Sequence, residues 1–336
     1  MGPAGQRGRS RPGTHRLRFG AVALIALIAA LFVAACGSSN SGSSSSTPSP
    51  SSATSTPAAS SQPGKGKPSV TLGTKDFTEE FILGQLYKQA LQHAGYTVNY
   101  KENIGATEVI DKALTSGKIN AYPEYTGESA VTVAGVNKTV KSPQEEYNIA
   151  KAFYAKRGET MSQMTPFFDV DAIAVKKAFA QKNGLKTLSD LKKLKSFTLG
   201  ARPEFANREQ GAAGMKKDYG LNNFTFKSLA LGIQYQALDS GKVDSADVFT
   251  TDPQLASGKY TVLKDPKNIF GFQNIALVIN TKKLQALGGD QFMAIINKIN
   301  SLLTTPAVIS MNKAVAIDKQ SAAAVAKSFL QANHLI

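Results

Sequence analysis

An eight-residue segment of this chain occurs twice, as ALTSGKIN at residues 113–120 and as ALDSGKVD at residues 237–244. In each copy a helix-like run ends at a glycine, the residue that most often follows the C-terminus of a helix. A short apolar strand comes next, and an aromatic residue stands eight positions after each glycine: Tyr125 in the first copy and Phe249 in the second. Coincidence is the alternative, because Ser-Gly-Lys also ends unrelated helices. The repeat predicts two lobes of similar construction, each with an aromatic side chain at the end of an equivalent strand.

Strand and helix patterns alternate around both copies. The patterns predict strands at 70–74, 96–101, 119–122, 197–201, 224–229 and 243–249, and helices at 78–94, 107–117, 207–219 and 232–240. A β-α-β-α-β order requires a parallel sheet covered by helices, and such sheets bind ligands beyond the carboxyl ends of their strands. The loop 74–77 and the segment 122–128 meet that condition.

Two apolar stretches, near residues 169–175 and 272–280, are predicted to carry the chain between the lobes. Residues 69–170 and 276–336 would then form lobe 1, and residues 171–275 would form an inserted lobe 2. Two crossover strands between lobes make a hinge. The predicted fold class is therefore α/β, a two-lobed clamshell with a ligand cleft between the lobes.

The first 68 residues have the composition of a targeting segment followed by a tether. Five arginines before residue 20 precede an apolar run at 21–35, which is short for a membrane span and typical of a signal peptide, predicted at residues 1–35. The run ends in VAACG, which resembles the lipobox of bacterial lipoproteins, where cleavage precedes a lipidated cysteine, in this chain Cys36. A plain signal peptide or an anchor helix with an incidental cysteine are the alternatives. Residues 36–68, rich in Ser and Pro, cannot bury enough apolar surface to fold, which predicts a disordered tether.

Charge and motif spacing bear on the class of partner. The formal net charge is +15, but the lysines are scattered rather than grouped, and no zinc-finger, phosphate-loop or RNA-binding spacing is present. The 3 histidines have no metal-ligand spacing with each other or with the 1 cysteine. We therefore expect no nucleic-acid partner, no metal and no cofactor.

Four segments carry a family resemblance: GTKDFTE at 73–79, NIGATE at 103–108, YPEYTG at 122–127 and PEFANR at 203–208. They resemble the substrate-binding proteins of ABC importers for quaternary amines such as glycine betaine, choline and carnitine. YPEYTG is the most specific of them. The resemblance implies the type II-like fold of periplasmic binding proteins, in which a cage of tyrosines holds a trimethylammonium group.

Carried over position by position, the resemblance implies seven ligand-binding residues: Lys75, Tyr125, Glu128, Asp171, Arg208, Tyr235 and Phe249. The three aromatic residues would offer cation–π faces, and the two bases would bind a ligand carboxylate. The two acids depart from the family pattern, since a tyrosine is common in place of Asp171 and a threonine in place of Glu128. Ionised acids in the cleft would attract a cation and repel a carboxylate, so the choice between glycine betaine-like and choline-like ligands stays open. Core packing of the aromatics and solvated or lysine-paired acids are the alternatives.

The resemblance also implies a function and partners. The chain would be a monomeric solute-binding lipoprotein on the extracytoplasmic face of the bacterial cell membrane. It would deliver its ligand to a permease and an ATPase that are separate chains. The alternatives are a binding protein for another cationic or zwitterionic molecule, a structural lipoprotein, or an enzyme. A deaminase of pyrrole biosynthesis shares the clamshell but attaches its cofactor to a cysteine, whereas Cys36 lies outside the predicted fold. We therefore predict no enzymatic activity.

Overall fold

The computed structural model describes residues 62–136 and 140–336. The predicted signal peptide, Cys36 and most of the predicted tether lie outside the described residues. Residues 62–68, which the composition assigns to the tether, form a turn in which Gly64 is buried. A Cβ atom at Gly64 would lie 2.4 Å from the ring of Tyr96, so only glycine allows this close contact.

The first sheet belongs to lobe 1 and is mixed. Its strands are β1 (Val70–Gly73), β2 (Val98–Lys101), β3 (Ala121–Tyr125), β4 (Glu159–Met161) and β10 (Ile275–Asn280), in the order β2-β1-β3-β10-β4. Strands β1, β2 and β3 are parallel, and β10 is antiparallel to both of its neighbours. The helices of lobe 1 are α1 (Thr78–His93), α2 (Thr107–Thr115), α3 (Pro143–Arg157), α7 (Thr281–Ala286), α8 (Asp290–Leu302), α9 (Thr305–Ala316) and α10 (Ala322–Ala332).

The second sheet belongs to lobe 2 and repeats this arrangement. Its strands are β5 (Asp171–Lys176), β6 (Phe197–Ala201), β7 (Phe224–Ser228), β8 (Ser245–Phe249) and β9 (Tyr260–Val262), in the order β7-β6-β8-β5-β9. Its helices are α4 (Lys177–Asn183), α5 (Ala212–Tyr219) and α6 (Gln234–Asp239). Short 3-10 segments cover Leu188–Lys193, Pro203–Ala206 and Pro253–Ser257, and a π-helical segment follows β3 at Glu128–Val133.

The two sheets are equivalent strand for strand, which confirms the prediction from the sequence repeat. Strands β3 and β8 each stand third in order, parallel to the second strand and antiparallel to the fourth. Tyr125 ends β3 and Phe249 ends β8. Purely parallel sheets were expected, whereas β10 and β5 run antiparallel because each enters its sheet from the other lobe.

The chain passes between the lobes through two segments that pair with each other. Phe168 and Asn274 form an isolated antiparallel bridge, and the amide of Asp169 donates to the carbonyl of Gln273 at 3.1 Å. This pairing joins the lobes as the two crossover strands of a clamshell hinge. The lobe boundaries at residues 170/171 and 275/276 stay predictions.

Helix α1 connects the core of lobe 1 to the cleft. It buries Ile82, Leu83 and Leu86 at helical spacing, and each such side chain contributes roughly 1.5–3 kcal/mol when fully buried. The spacing of Asp76 and Glu79 predicts a capping box, but this prediction is wrong. The N-terminus of α1 has no side-chain cap, because Glu79 is directed into the protein as part of the cleft network.

Among residues 62–136 and 140–336, no single helix is both long and apolar enough to cross a membrane. Helices α8 and α9 meet the criteria of length and composition only together, with a bend of 89° between them.

Candidate ligand-binding cleft

A cavity of about 40 Å³ lies between the lobes, at the carboxyl ends of strands from both sheets. Its walls are Lys75, Asp76, Phe77, Ala106, Thr107, Tyr125, Glu128, Asp169, Asp171, Arg202, Glu204, Arg208, Leu231, Phe249 and Gln273. The structure thus brings together Lys75, Tyr125, Glu128, Asp171, Arg208 and Phe249 from the set that the sequence predicts. Tyr235 does not line this cavity.

Three aromatic rings meet at the cavity. The ring of Phe77 stacks on that of Phe249, with centroids 5.4 Å apart and planes inclined by 19°. The same ring contacts Tyr125, with centroids 5.9 Å apart and planes inclined by 37°. Phe77 and Tyr125 belong to lobe 1 and Phe249 to lobe 2, so the aromatic contact crosses the cleft.

Tyr125 is held by a buried hydrogen-bond network. Its hydroxyl donates to Glu79 Oε1 at 2.7 Å, and burial together with that carboxylate raises the pKa of Tyr125 well above its usual range. The other oxygen of Glu79 accepts from Thr251 Oγ1 at 2.7 Å and from Asn312 Nδ2 at 2.9 Å. Glu79 therefore fixes the orientation of Tyr125 and links α1 to the loop after β8 and to α9.

Tyr235 lies behind the cleft wall. Its ring packs against Tyr260, with centroids 5.1 Å apart, and its hydroxyl donates to Asp252 Oδ2 at 2.8 Å. The same oxygen of Asp252 accepts the backbone amide of Phe249 at 3.0 Å. Tyr235 thus supports the position of Phe249 through Asp252, and the predicted direct contact with a ligand has no support in this placement.

Asp171 is bound to a guanidinium that the sequence analysis did not single out. Arg202 donates to both oxygens of Asp171, at 2.6 and 2.8 Å, and to Asp247 Oδ2 at 2.6 Å. The guanidinium carbon lies 5.4 Å from the ring centroid of Phe249. Burial, and then the neighbouring Asp171, raise the pKa of Asp247 well above its usual range, while Arg202 opposes the rise. The charge of Asp171 is therefore balanced within the cleft wall.

Glu128 is bound in the same manner, across the cleft. Arg208 Nη1 donates to Glu128 Oε1 at 2.7 Å, and Nη2 donates to Glu108 Oε2 at 2.9 Å. The sequence pattern predicts that Arg208 stands at the start of a helix, but Arg208 lies in the loop before α5. Because Arg208 belongs to lobe 2 and both carboxylates to lobe 1, these contacts hold the lobes together.

Lys75 lies on an aromatic face of the cleft. Its ammonium nitrogen is 4.2 Å from the ring centroid of Tyr125 and 5.7 Å from that of Phe77. It donates to Glu124 Oε1 at 2.5 Å and lies 3.4 Å from Thr107 Oγ1. Burial lowers the pKa of Lys75, but Glu124, Glu80 and Glu128 raise it above the usual value on balance, so the side chain stays charged.

The cleft therefore combines aromatic faces with charges that are paired inside the protein. Within residues 62–136 and 140–336, no group of three His, Cys, Asp or Glu side chains could hold a metal ion. The arrangement can hold a compact cation against aromatic rings and can exchange internal ion pairs for contacts with a charged ligand.

Sequence reasoning missed two important residues, Phe77 and Arg202. Phe77 stands in the loop after β1, which the strand pattern had already placed at the carboxyl edge of the sheet. Arg202 directly follows β6, the counterpart of β1 in lobe 2. The sequence repeat could have found Arg202, because equivalent strands present their following residues to the same cleft.

The fold agrees with comparisons with known proteins. Residues 68–332 match the family model described as the substrate binding domain of an ABC-type glycine betaine transport system, and the chain belongs to this family. A glycine-betaine-binding protein of Pseudomonas aeruginosa is 29% identical, over 80% of this chain and 89% of that protein. An ergothioneine transport permease/ergothioneine binding protein of Helicobacter pylori is 30% identical, over 79% of this chain and 47% of that protein. A crystal structure of a glycine betaine/carnitine/choline ABC transporter is 26% identical, with a TM-score of 0.64, over 79% of this chain and 99% of that one.

Proposed function

We propose that this protein captures a small molecule with a methylated cationic nitrogen in the interlobe cleft and delivers it to an ABC permease. The convergence of Phe77, Tyr125 and Phe249 on one cavity carries the proposal. A quaternary ammonium donates no hydrogen bond, so its recognition relies on shape and on cation–π attraction. Each aromatic face contributes about 0.5–2 kcal/mol, most when water is excluded.

Binding requires the cleft to open. The cavity of about 40 Å³ has room for about three water molecules, at roughly 10–15 Å³ each, whereas a molecule that joins a trimethylammonium group to a carboxylate has more non-hydrogen atoms than that. Opening at the paired crossover segments would separate Arg208 from Glu108 and Glu128, and closure on the ligand would restore these contacts. The two-lobed fold thus supports capture by hinge closure.

The relatives support the same chemical class. Their names give glycine betaine and ergothioneine as ligands, and both compounds carry a trimethylammonium group and a carboxylate. The acids that depart from the family pattern do not argue against such zwitterions, because Asp171 is paired with Arg202 and Glu128 with Arg208. We therefore place glycine betaine-like zwitterions before choline.

Calorimetry with cleft and control variants tests the aromatic cage. Phe77→Leu and Phe249→Leu should each weaken glycine betaine binding about 2–30-fold, which corresponds to losing one partly or fully desolvated cation–π face. Phe329, a half-buried phenylalanine on α10 that packs against the core of lobe 1 and does not line the cavity, supplies the matched control, and Phe329→Leu should bind normally. Equal binding by all three variants would exclude the proposed cage.

Anchoring and delivery need experiments of their own. We propose that Cys36 carries a lipid that holds the protein on the extracytoplasmic face of the membrane, and that the lobe tips contact a separate permease driven by its own ATPase. Cys36→Ser should release the protein or leave its precursor uncleaved, and Cys36→Ser protein that is processed and membrane-bound as before would contradict the anchor.

Deleting the protein should abolish high-affinity uptake of its ligand, and unchanged uptake would contradict delivery.

A binding role accounts for the cleft better than catalysis. The family to which the chain belongs consists of transport binding proteins. A ligand recovered chemically unchanged after prolonged incubation with the protein would agree with this role, whereas turnover would indicate an enzyme.

A further inference from the structure

The ammonium of Lys75 stands where a ligand's cationic nitrogen would need to be. It lies over the ring of Tyr125, within 4.2 Å of the centroid, and only 4% of the residue is exposed. A methylated nitrogen cannot share this face, both because the space is filled and because two like charges in a poorly solvated site repel each other. Binding at Tyr125 thus requires Lys75 to move.

Moving Lys75 would leave Glu124 without its cation. Glu124 is 0% exposed, and its Oε1 accepts from Lys75 Nζ and from the amide of Tyr125, while its Oε2 has no partner among the described residues. Burial raises the pKa of Glu124, and Lys75 is the first neighbour that opposes the rise. A cation arriving over Tyr125 would replace the lost charge beside this carboxylate.

The displaced ammonium also needs a partner. Arg202 and Arg208 are already paired with carboxylates of the protein, so Lys75 would be the base released by the incoming ligand. A ligand carboxylate, carried a few bonds from the cationic nitrogen, can receive it. A cation without a carboxylate offers Lys75 no new partner in exchange for Glu124.

We propose that Lys75 is a built-in competitor that selects zwitterions: its ammonium and the ligand's cationic nitrogen alternate on the face of Tyr125, and the displaced Lys75 pairs with the ligand's carboxylate. This inference rests on the proposed function and deepens it. Lys75 would then determine specificity, because its displacement from the face of Tyr125 disfavours choline and favours glycine betaine.

The test is calorimetry of the full chain, purified in detergent, with glycine betaine and choline. Lys75→Gln should tighten choline binding about tenfold or more, because the competitor is gone, and should weaken glycine betaine binding, because the ligand's carboxylate loses its ion pair with Lys75. The preference for glycine betaine over choline should therefore fall at least tenfold. Lys88→Gln is the matched control, since Lys88 also lies over a tyrosine ring, at 5.2 Å from the centroid of Tyr100 but outside the cleft, and its preference should stay that of the unmodified chain.

A second variant keeps the inference testable if Lys75→Gln does not fold. In Lys75→Gln/Glu124→Gln the buried carboxylate is removed together with its cation, so Glu124 leaves no unpaired charge. Choline should still bind more tightly than to the unmodified chain, because the face of Tyr125 is free, but less tightly than to Lys75→Gln. Weaker glycine betaine binding with unchanged choline binding in both variants would make Lys75 an ordinary carboxylate ligand and would overturn the exchange. Weakening of both ligands would make Lys75 purely structural and would overturn it as well. Failure of the unmodified chain to bind any quaternary amine would instead refute the proposed function and this inference with it.

Discussion

Replacing Arg202 by methionine should cause a large and pH-dependent loss of stability. The guanidinium makes three contacts of 2.6–2.8 Å with Asp171 and Asp247, and all three residues are at least 93% buried. Removing one partner of a buried ion pair costs about 3–5 kcal/mol, because the remaining charges lose compensation. We expect a loss in that range from the free energy of unfolding at pH 7.

The pH dependence identifies the cause. Arg202 lowers the pKa of Asp247 against burial and the nearby Asp171, so its removal raises this pKa further. An acid whose folded-state pKa is raised stabilises the fold at low pH and loses that contribution as pH rises through the folded-state pKa. The stability gap between Arg202→Met and the unmodified chain should therefore narrow as pH falls from 7 to 5.

Urea unfolding of the two proteins at pH 7 and pH 5 measures both effects. The variant Arg202→Met/Asp171→Asn/Asp247→Asn removes the guanidinium together with the two aspartates that it contacts most closely, and it should recover most of the lost stability, since well-packed neutral groups often replace a buried ion pair without loss. A loss of less than about 1 kcal/mol at pH 7, or a stability difference that does not change with pH, would show that Arg202 does not compensate the charges of these aspartates.

Three more predictions concern residues around the cleft. Burial raises the pKa of Glu80 from 4.5 to about 8, so between pH 5 and 8 the folded state holds a proton that the unfolded state has lost. The free energy of unfolding should therefore fall by up to about 1.4 kcal/mol per pH unit in this range. Glu80→Gln should reduce this slope, and an unchanged slope would contradict the raised pKa of Glu80. Gly127→Ala should cost about 1–3 kcal/mol in urea unfolding, since its Cβ would lie 2.5 Å from Gln273 Nε2, and unaltered stability would show that Gln273 can move freely. Tyr235→Phe should lower the free energy of unfolding by about 1 kcal/mol and weaken ligand binding a few-fold, because Tyr235 supports the cleft wall. Tyr260→Phe is the control and should do neither, since the hydroxyl of Tyr260 bonds an exposed aspartate at 2.8 Å. Equal effects of the two substitutions would contradict the supporting role of Tyr235.

Much of the fold follows from periodicity and from the sequence repeat. The repeat placed Tyr125 and Phe249 at equivalent strand ends because helix stops and strand starts are local signals, written in a few consecutive residues. The antiparallel direction of β5 and β10 was not predicted, since it depends on where the chain re-enters each sheet, and no local signal records that. The capping box predicted at the N-terminus of α1 is absent for a similar reason. Glu79 instead makes contacts with Tyr125, Thr251 and Asn312, which are distant in sequence.

The sequence predicts which residues line the cleft better than it predicts which of them form ion pairs within the protein. The resemblance brought six residues to one cavity, but it treated Asp171, Glu128, Lys75 and Arg208 as independent ligand contacts. In the structure each is paired within the protein, and Asp171 is bound to Arg202, which lies 31 positions away in the chain. Such pairs form only when two loops from different strands meet, so the charge balance of the cleft could not be read from the chain alone.

We propose that the cleft binds a zwitterion with a methylated cationic nitrogen. Isothermal titration calorimetry of the purified chain with glycine betaine and choline, and with glycine as a zwitterion that lacks the methyl groups, tests this proposal. We predict saturable binding of glycine betaine, weaker binding of choline and no measurable binding of glycine. Absence of binding by both methylated compounds to protein shown to be folded and free of bound ligand, or binding of glycine as tight as that of glycine betaine, would contradict the claim.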